Sequence, residues 1–423
     1  MNLFDIAAVL ISLAALLGYL NHRWLKFPPS IGIMAMALLG SLVMLVVDRL
    51  APSWGLHGTV ERFLGQIDFS EAVLHGMLCF LLFAGALHVD WAHLRSGAVS
   101  IAVLSVFGVA LSAVLVGTLS YSLFHALGLH VTFLICMVFG ALISPTDPIA
   151  VLGLLKTLHA PKSLEAKIAG ESLFNDGVGV VAFFACLSLA GLAGPGAGSV
   201  VPPGWGDLGL MLLRQVGGGL LLGVAFGYVV YRTLRSIDQA PLELLLTVAL
   251  VMLTYSVSFW LAVSGPIAVV AAGLVIGAAG RQDAMSPNSM SHVEAFWEMT
   301  DEILNAVLFL LLGLEVLAVH WQIQTVISGL LMIPIVLLAR FLSVGLPVGL
   351  WRGIAGGQRG FVPILTWGGL RGGLSIAMVL SLPPFPAKNL LLGATYAVVV
   401  FSVLVQGLSM PRVCAHYGLR RPS

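Results

Sequence analysis

An all-α integral membrane protein is the fold class this sequence predicts, on three observations. Hydrophobic residues make up 59% of its 423 positions and charged residues 9%, too little polar surface to cover a soluble globule of this size. Apolar runs of the roughly 17 to 25 residues needed to cross the hydrocarbon as helix recur from near Leu3 to about Val413. Basic residues crowd every second connection between those runs.

Thirteen runs are expected, beginning near Leu3, Pro28, Ser70, Gly97, Val131, Ser163, Leu208, Pro241, Gly265, Ala295, Gln324, Phe361 and Asn389. The first carries Asp5 rather than a basic leader, and no small-residue cleavage site precedes Asn21-His22-Arg23-Trp24, so a retained helix is expected. No stretch is long enough to bury a core of its own, which makes 1–423 one transmembrane domain. With the N-terminus outside, fourteen basic residues fall on the inner side: Arg23, Lys26, Arg95, Lys156, Lys162, Lys167, Arg232, Arg235, Arg281, Arg352, Arg359, Arg412, Arg420 and Arg421. Only Arg49, Arg62 and Lys388 fall outside. This asymmetry predicts an external N-terminus and a cytoplasmic C-terminus.

The fifth run is interrupted by Pro145 and Pro148, and the twelfth by Gly368, Gly369, Gly372 and Gly373 around Arg371. Broken membrane helices in corresponding places of two halves point to a binding site at mid-membrane. Two inverted six-helix repeats, 1–195 and 241–415, joined by a linking helix at 206–235, would pair the fifth run with the twelfth and cross them. Half-helix ends carry opposite partial charges. Asp147 then neutralises the positive ends and Arg371 the negative ones.

The remaining chemistry lies in Glu171-Ser172-Leu173-Phe174-Asn175-Asp176, within the sixth run. A charge at the bilayer centre costs about 3 kcal/mol on insertion scales, so it is expected to have a partner, an ion or a proton. Ser172 and Asp176 stack on one helix face and Glu171 and Asn175 on the adjoining one. Asp176 and Ser172 turned toward Asp147 and Thr146 offer oxygens to a small hard cation, and Asn175 adds an amide. Glu171 lies roughly 140° from Asp176 around the helix. Arg340, deep in the eleventh run, is its expected partner, because a buried carboxylate left alone is strongly destabilising. Asp176 has no basic residue left to pair with, which suits it to carrying a proton.

Other polar features have structural readings. His75, His88, His125 and His159 lack metal spacing and are expected to pack with hydrogen bonds. Arg214 snorkels outward from near one end of its run. Gly219, Gly223 and Gly227 make a close-packing stripe. Glu294, Glu298, Asp301 and Glu302 form either a solvated face or the rim of an inward funnel. Cys79, Cys136, Cys186 and Cys414 have no paired spacing and imply neither disulfide nor metal. A net charge of +1 with dispersed basic residues implies no nucleic acid.

Pro145-Thr146-Asp147-Pro148 followed by Gly170-Glu171-Ser172-Leu173-Phe174-Asn175-Asp176-Gly177 resembles the monovalent cation/proton antiporters of the NhaP and sodium/proton exchanger type. Leu81 to Asp90, Phe309 to Glu315, Ala339-Arg340, Trp367 to Gly373 and Val405-Gln406-Gly407 are similar to further landmarks in the same order. The resemblance implies a homodimer in the inner membrane, in contact with lipid. In it Asp176 and Asp147, with Thr146, Ser172 and Asn175 nearby, exchange a monovalent metal cation for H+, serving pH homeostasis. Sodium is the expected cation, with lithium or potassium as alternatives, and Glu171 and Arg340 form a structural ion pair. Many relatives have an acidic residue where this chain has Ala84. No nucleotide-binding loop is present, so no hydrolytic enzyme and no cofactor are expected. The rivals are a cation channel and an intramembrane aspartyl protease using Asp147 and Asp176; neither aspartate sits in the Gly-x-Gly-Asp context of such proteases.

Overall fold

The computed structural model describes residues 3–50, 68–158, 160–192, 205–317, 319, 321–351, 353–355 and 360–418. Expectations that rest on Arg62, His159, Arg352, Arg359, Arg420, Arg421 and the 193–195 boundary lie outside the described residues. In chain order the main helices are α1 (Leu3–Leu20), α2 (Pro29–Leu50), α3 (Phe69–His88), α4 (Ala98–Ala126), α5 (Phe133–Ile143), α6 (Ile149–Thr157), α7 (Lys162–Leu189) and α8 (Trp205–Leu234). They continue as α9 (Ala240–Trp260), α10 (Gly265–Ala279), α11 (Pro287–Leu314), α12 (Ile323–Leu350), α13 (Phe361–Gly368), α14 (Gly373–Leu380) and α15 (Lys388–His416). Among the described residues nine helices are long and apolar enough to cross a membrane, and α5 and α10 are shorter apolar helices.

Local chemistry sets several boundaries. Thr132 caps α5 by accepting from Ile135 N (3.4 Å), and Ser264 caps α10 by accepting from Ile267 N (3.4 Å). The tenth run begins earlier than expected: α11 starts at Pro287, not near Ala295. The cause is the Ser286-Pro287 pair, in which Ser286 accepts from Ser289 N (3.3 Å) and proline takes the first helical position. Hydropathy alone misses that polar opening.

Both expected breaks are present. Chain 144–148 leaves the helix between α5 and α6, and 369–372 does so between α13 and α14. The two segments meet in an antiparallel bridge, with Asp147 N donating to Leu370 O at 2.8 Å. Backbone groups that a continuous helix would have paired internally are thereby satisfied across the crossing. Gly372 allows the approach, since a Cβ there would lie 2.9 Å from Asp147 Cβ and 3.1 Å from its Cγ.

The core gathers round this crossing. Phe139, Ala141, Leu142 and Ile143 on α5 and Ile376 to Val379 on α14 are fully buried. Outward faces are apolar as well: Leu213 and Leu221 on α8, Trp260 on α9 and Leu350 on α12 are each at least 70% exposed, the pattern of helices solvated by lipid rather than water. Arg214 is exposed and donates to Leu261 O (2.8 Å). Its neighbours Gly219, Gly223 and Gly227 seat α8 on α10; a Cβ at Gly219 would lie 2.8 Å from Ser264 O, and one at Gly223 would strike the Ala268 carbonyl. Gly223→Val is therefore expected to destabilise by about 1–3 kcal/mol, as overpacking does. Intrinsic-fluorescence melting in detergent reads this, and an unchanged midpoint contradicts it.

Lys167 is placed differently from the loop position assigned to it. It lies inside α7, 9% exposed, with Nζ donating to Ile354 O (3.0 Å) and standing 5.3 Å from the centre of the Phe361 ring. His75 bonds Tyr255 Oη (3.0 Å) and His88 bonds Ala84 O (2.7 Å).

Candidate functional site

Breaking the fifth run frees the backbone around Thr146, and α7 supplies its partners. Asn175 Oδ1 accepts from Thr146 N (3.2 Å) while Asn175 Nδ2 donates to Thr146 Oγ1 (2.6 Å). Ser172 Oγ donates to Thr146 O. Thr146, Ser172 and Asn175 are all buried. Thr146, Ser172 and Asn175 thus come together, with Asn175 bound to Thr146 through both ends of its amide. The reason is the break itself, since a buried backbone N–H without a helical partner must find another.

Asp147 is half-buried two residues before α6, where its Oδ1 accepts from Ile149 N (3.0 Å). The carboxylate sits at a half-helix N-terminus, the place favourable to negative charge. Arg371, 2% exposed, takes the opposite end: its Nη1 donates to the carbonyls of Ser144 and Pro145 (2.8 Å to the latter), just beyond the C-terminus of α5. Its own backbone N donates to Ser402 Oγ (2.9 Å). Ser402 in turn donates to Gln406 Oε1 (2.8 Å), and Gln406 Nε2 donates to Trp367 O (3.0 Å).

Glu171 and Arg340 meet side on. Arg340 Nη1 lies 2.6 Å from Glu171 Oε1 and Nη2 lies 2.9 Å from Oε2, a bidentate contact between two buried side chains. Arg340 also donates to Leu365 O, from Nη2 at 3.3 Å and Nε at 3.4 Å. The guanidinium therefore ties α7, α12 and α13 together. A small cavity beside the pair is lined by Thr146, Pro148, Glu171, Ser172, Arg340 and Leu365.

Asp176 differs from all of these. It is half-buried one turn along α7 from Ser172, and among the described residues nothing donates to its carboxylate. No group of three or more His, Cys, Asp or Glu residues is gathered among the described residues. A monovalent ion at this place would draw instead on single carboxylates, hydroxyls and backbone oxygens, the oxygen set that weakly polarising cations accept.

Ser402 escaped sequence reasoning, since a lone serine in an apolar run carries little signal. A π turn at Ser402–Gln406 interrupts α15 and turns both side chains onto the crossing, and such turns recur at functional sites. Ala84 is 1% exposed on α3, and the adjacent Gly85 packs against Leu173 of α7.

Comparison with known proteins agrees with this arrangement. Residues 11–416 match the sodium/hydrogen exchanger transmembrane family. The Na(+)/H(+) antiporter NhaP of Pseudomonas aeruginosa is 43% identical over 412 residues, covering 96% of this chain and 95% of that protein. The Na(+)/H(+) antiporter NhaH of Halobacillus dabanensis is 33% identical over 407 residues, covering 94% of each. Among solved structures, the sodium proton antiporter MjNhaP1 of Methanocaldococcus jannaschii at pH 8 superposes with a TM-score of 0.71 at 19% identity, over 99% of this chain and all of that one. That likeness shows a shared fold. Helices that break and cross at charged residues, matched over almost the full chain to transporters and not to enzymes, place this protein in the sodium/hydrogen exchanger family of cation/proton antiporters.

Proposed function

We propose that the protein exchanges sodium for protons one for one by alternating access, with Asp176 holding either the cation or the proton. The observation that carries this reading is the set of partners at the crossing. Thr146, Asn175 and Ser172 bind one another, Glu171 is held by Arg340 and Asp147 by the α6 amide, which leaves the Asp176 carboxylate without a donor among the described residues. The crossing and α7 carry three carboxylates, Asp147, Glu171 and Asp176, and two guanidiniums, Arg340 and Arg371, belong to the same region. One further positive charge balances them, and a proton or a monovalent cation supplies it equally well. Desolvated charge left unbalanced is costly, so the site favours being filled by one or the other.

Potassium in place of sodium is the second reading within the family. A cation channel is excluded by one result: purified protein in proteoliposomes, given an outward proton gradient, should accumulate sodium above its external concentration. Dissipation of the sodium gradient alone would support a channel.

The working unit is a homodimer in the lipid of the inner membrane, with thirteen spans arranged as two inverted repeats, 1–195 and 241–415, about the linking helix 206–235. Its N-terminus faces outside and its C-terminus the cytoplasm, a reading supported by the loop charges. In a background without the four native cysteines, Lys162→Cys should react with impermeant maleimide only from the inside and His130→Cys only from the outside. Labelling of Lys162→Cys from outside overturns the orientation.

A further inference from the structure

A second cavity is lined by Val336, Arg340, Thr366, Arg371, Val398 and Phe401. Two polar atoms of its lining residues are buried and have no hydrogen-bond partner among the described residues: Arg371 Nη2 and Thr366 Oγ1. A buried donor left unmet costs about 1–3 kcal/mol, and more when charged. Arg371 is well held on its other edge, by the carbonyls of Ser144 and Pro145. Gln406, also lining the cavity, keeps a second lone pair on Oε1 after accepting from Ser402.

The occupant that satisfies both orphaned atoms is small and polar. Its charge follows from the balance at the crossing, where Asp147, Glu171 and Asp176 already match Arg340, Arg371 and the transported ion. An anion such as chloride would leave one uncompensated negative charge in hydrocarbon. A neutral molecule leaves the balance intact, and a water needs two to four polar partners of the kind present here.

We propose that one ordered water binds in this cavity, accepting from Arg371 Nη2 and bonded to Thr366 Oγ1, and that Thr366 acts through it as a positioning residue for the crossing. The water holds the guanidinium from behind while its front edge holds Ser144 and Pro145, the two residues that lead into Thr146 and Asp147. Thr366 touches no transported ion. Its effect reaches the site through Arg371, and in that respect the inference rests on Asp147 belonging to the ion site.

Two measurements on the full-length protein in lipid nanodiscs and proteoliposomes test this. A density map at about 2 Å should show one peak within hydrogen-bond distance of both Arg371 Nη2 and Thr366 Oγ1, the range within which water bridges. Absence of that peak overturns the water, as does a peak that strengthens when chloride is replaced by the more strongly scattering bromide. Thr366→Val, which keeps the shape and removes the hydroxyl, should raise the KM for sodium by about three- to tenfold, the loss of one water-mediated bond, with a smaller change in maximal rate. Thr366→Ser should restore the native KM. A native KM in Thr366→Val, or a serine variant no better than valine, overturns the positioning role, and the density peak is read independently of any transport. Should the valine variant not fold, the serine variant and the map still decide.

Discussion

Asp176→Asn is expected to abolish sodium-driven proton movement while leaving a folded protein. The substitution keeps the shape of the side chain and removes the only carboxylate at the crossing that lacks a donor among the described residues. An amide neither takes up a proton at working pH nor offers a full negative charge to sodium, so both halves of the exchange fail together. Folding is expected to survive, because no described contact depends on that carboxylate. Proton flux in proteoliposomes, with thermal melting as the control for folding, is the check. Measurable exchange by the folded variant would remove Asp176 from the transport cycle.

The second large effect concerns stability. Truncating Glu171 or Arg340 alone strands the other charge among buried side chains, which destabilises by about 3–5 kcal/mol. The loss should exceed that of the ion pair itself, because Arg340 also carries the Leu365 carbonyl and so joins α7, α12 and α13. Glu171→Gln with Arg340→Gln removes both charges and should recover part of the loss. A double-mutant cycle by thermal or denaturant unfolding in detergent measures the coupling. A coupling energy near zero would mean that the two side chains act independently.

Much of this site was legible in the sequence because charge in hydrocarbon is rare and therefore informative. Glu171, Asp176, Asp147, Arg340 and Arg371 each stand out against apolar surroundings, and helix geometry sends Glu171 and Asp176 in different directions. Proline at 145 and 148 and glycine around Arg371 marked where the helices stop. Other features depend on what the folded chain brings alongside. That Asn175 also serves the free N–H of Thr146 becomes readable only when the broken run and α7 lie side by side. Ser402 is one serine among many, given meaning only by a π turn that no periodicity announces. The early start of α11 was hidden for a different reason: its first turns are polar, and a hydropathy reading begins only where apolar residues do.

If a single carboxylate alternates between one proton and one monovalent cation, each cycle moves no net charge. Sodium-driven proton flux in proteoliposomes, with the membrane potential clamped by potassium and valinomycin, tests it directly. At each clamped voltage the sodium gradient that just halts flux against a fixed proton gradient is measured. The account predicts one balancing gradient at every voltage. A balancing gradient that shifts with voltage would show net charge moving with each turnover and would contradict it.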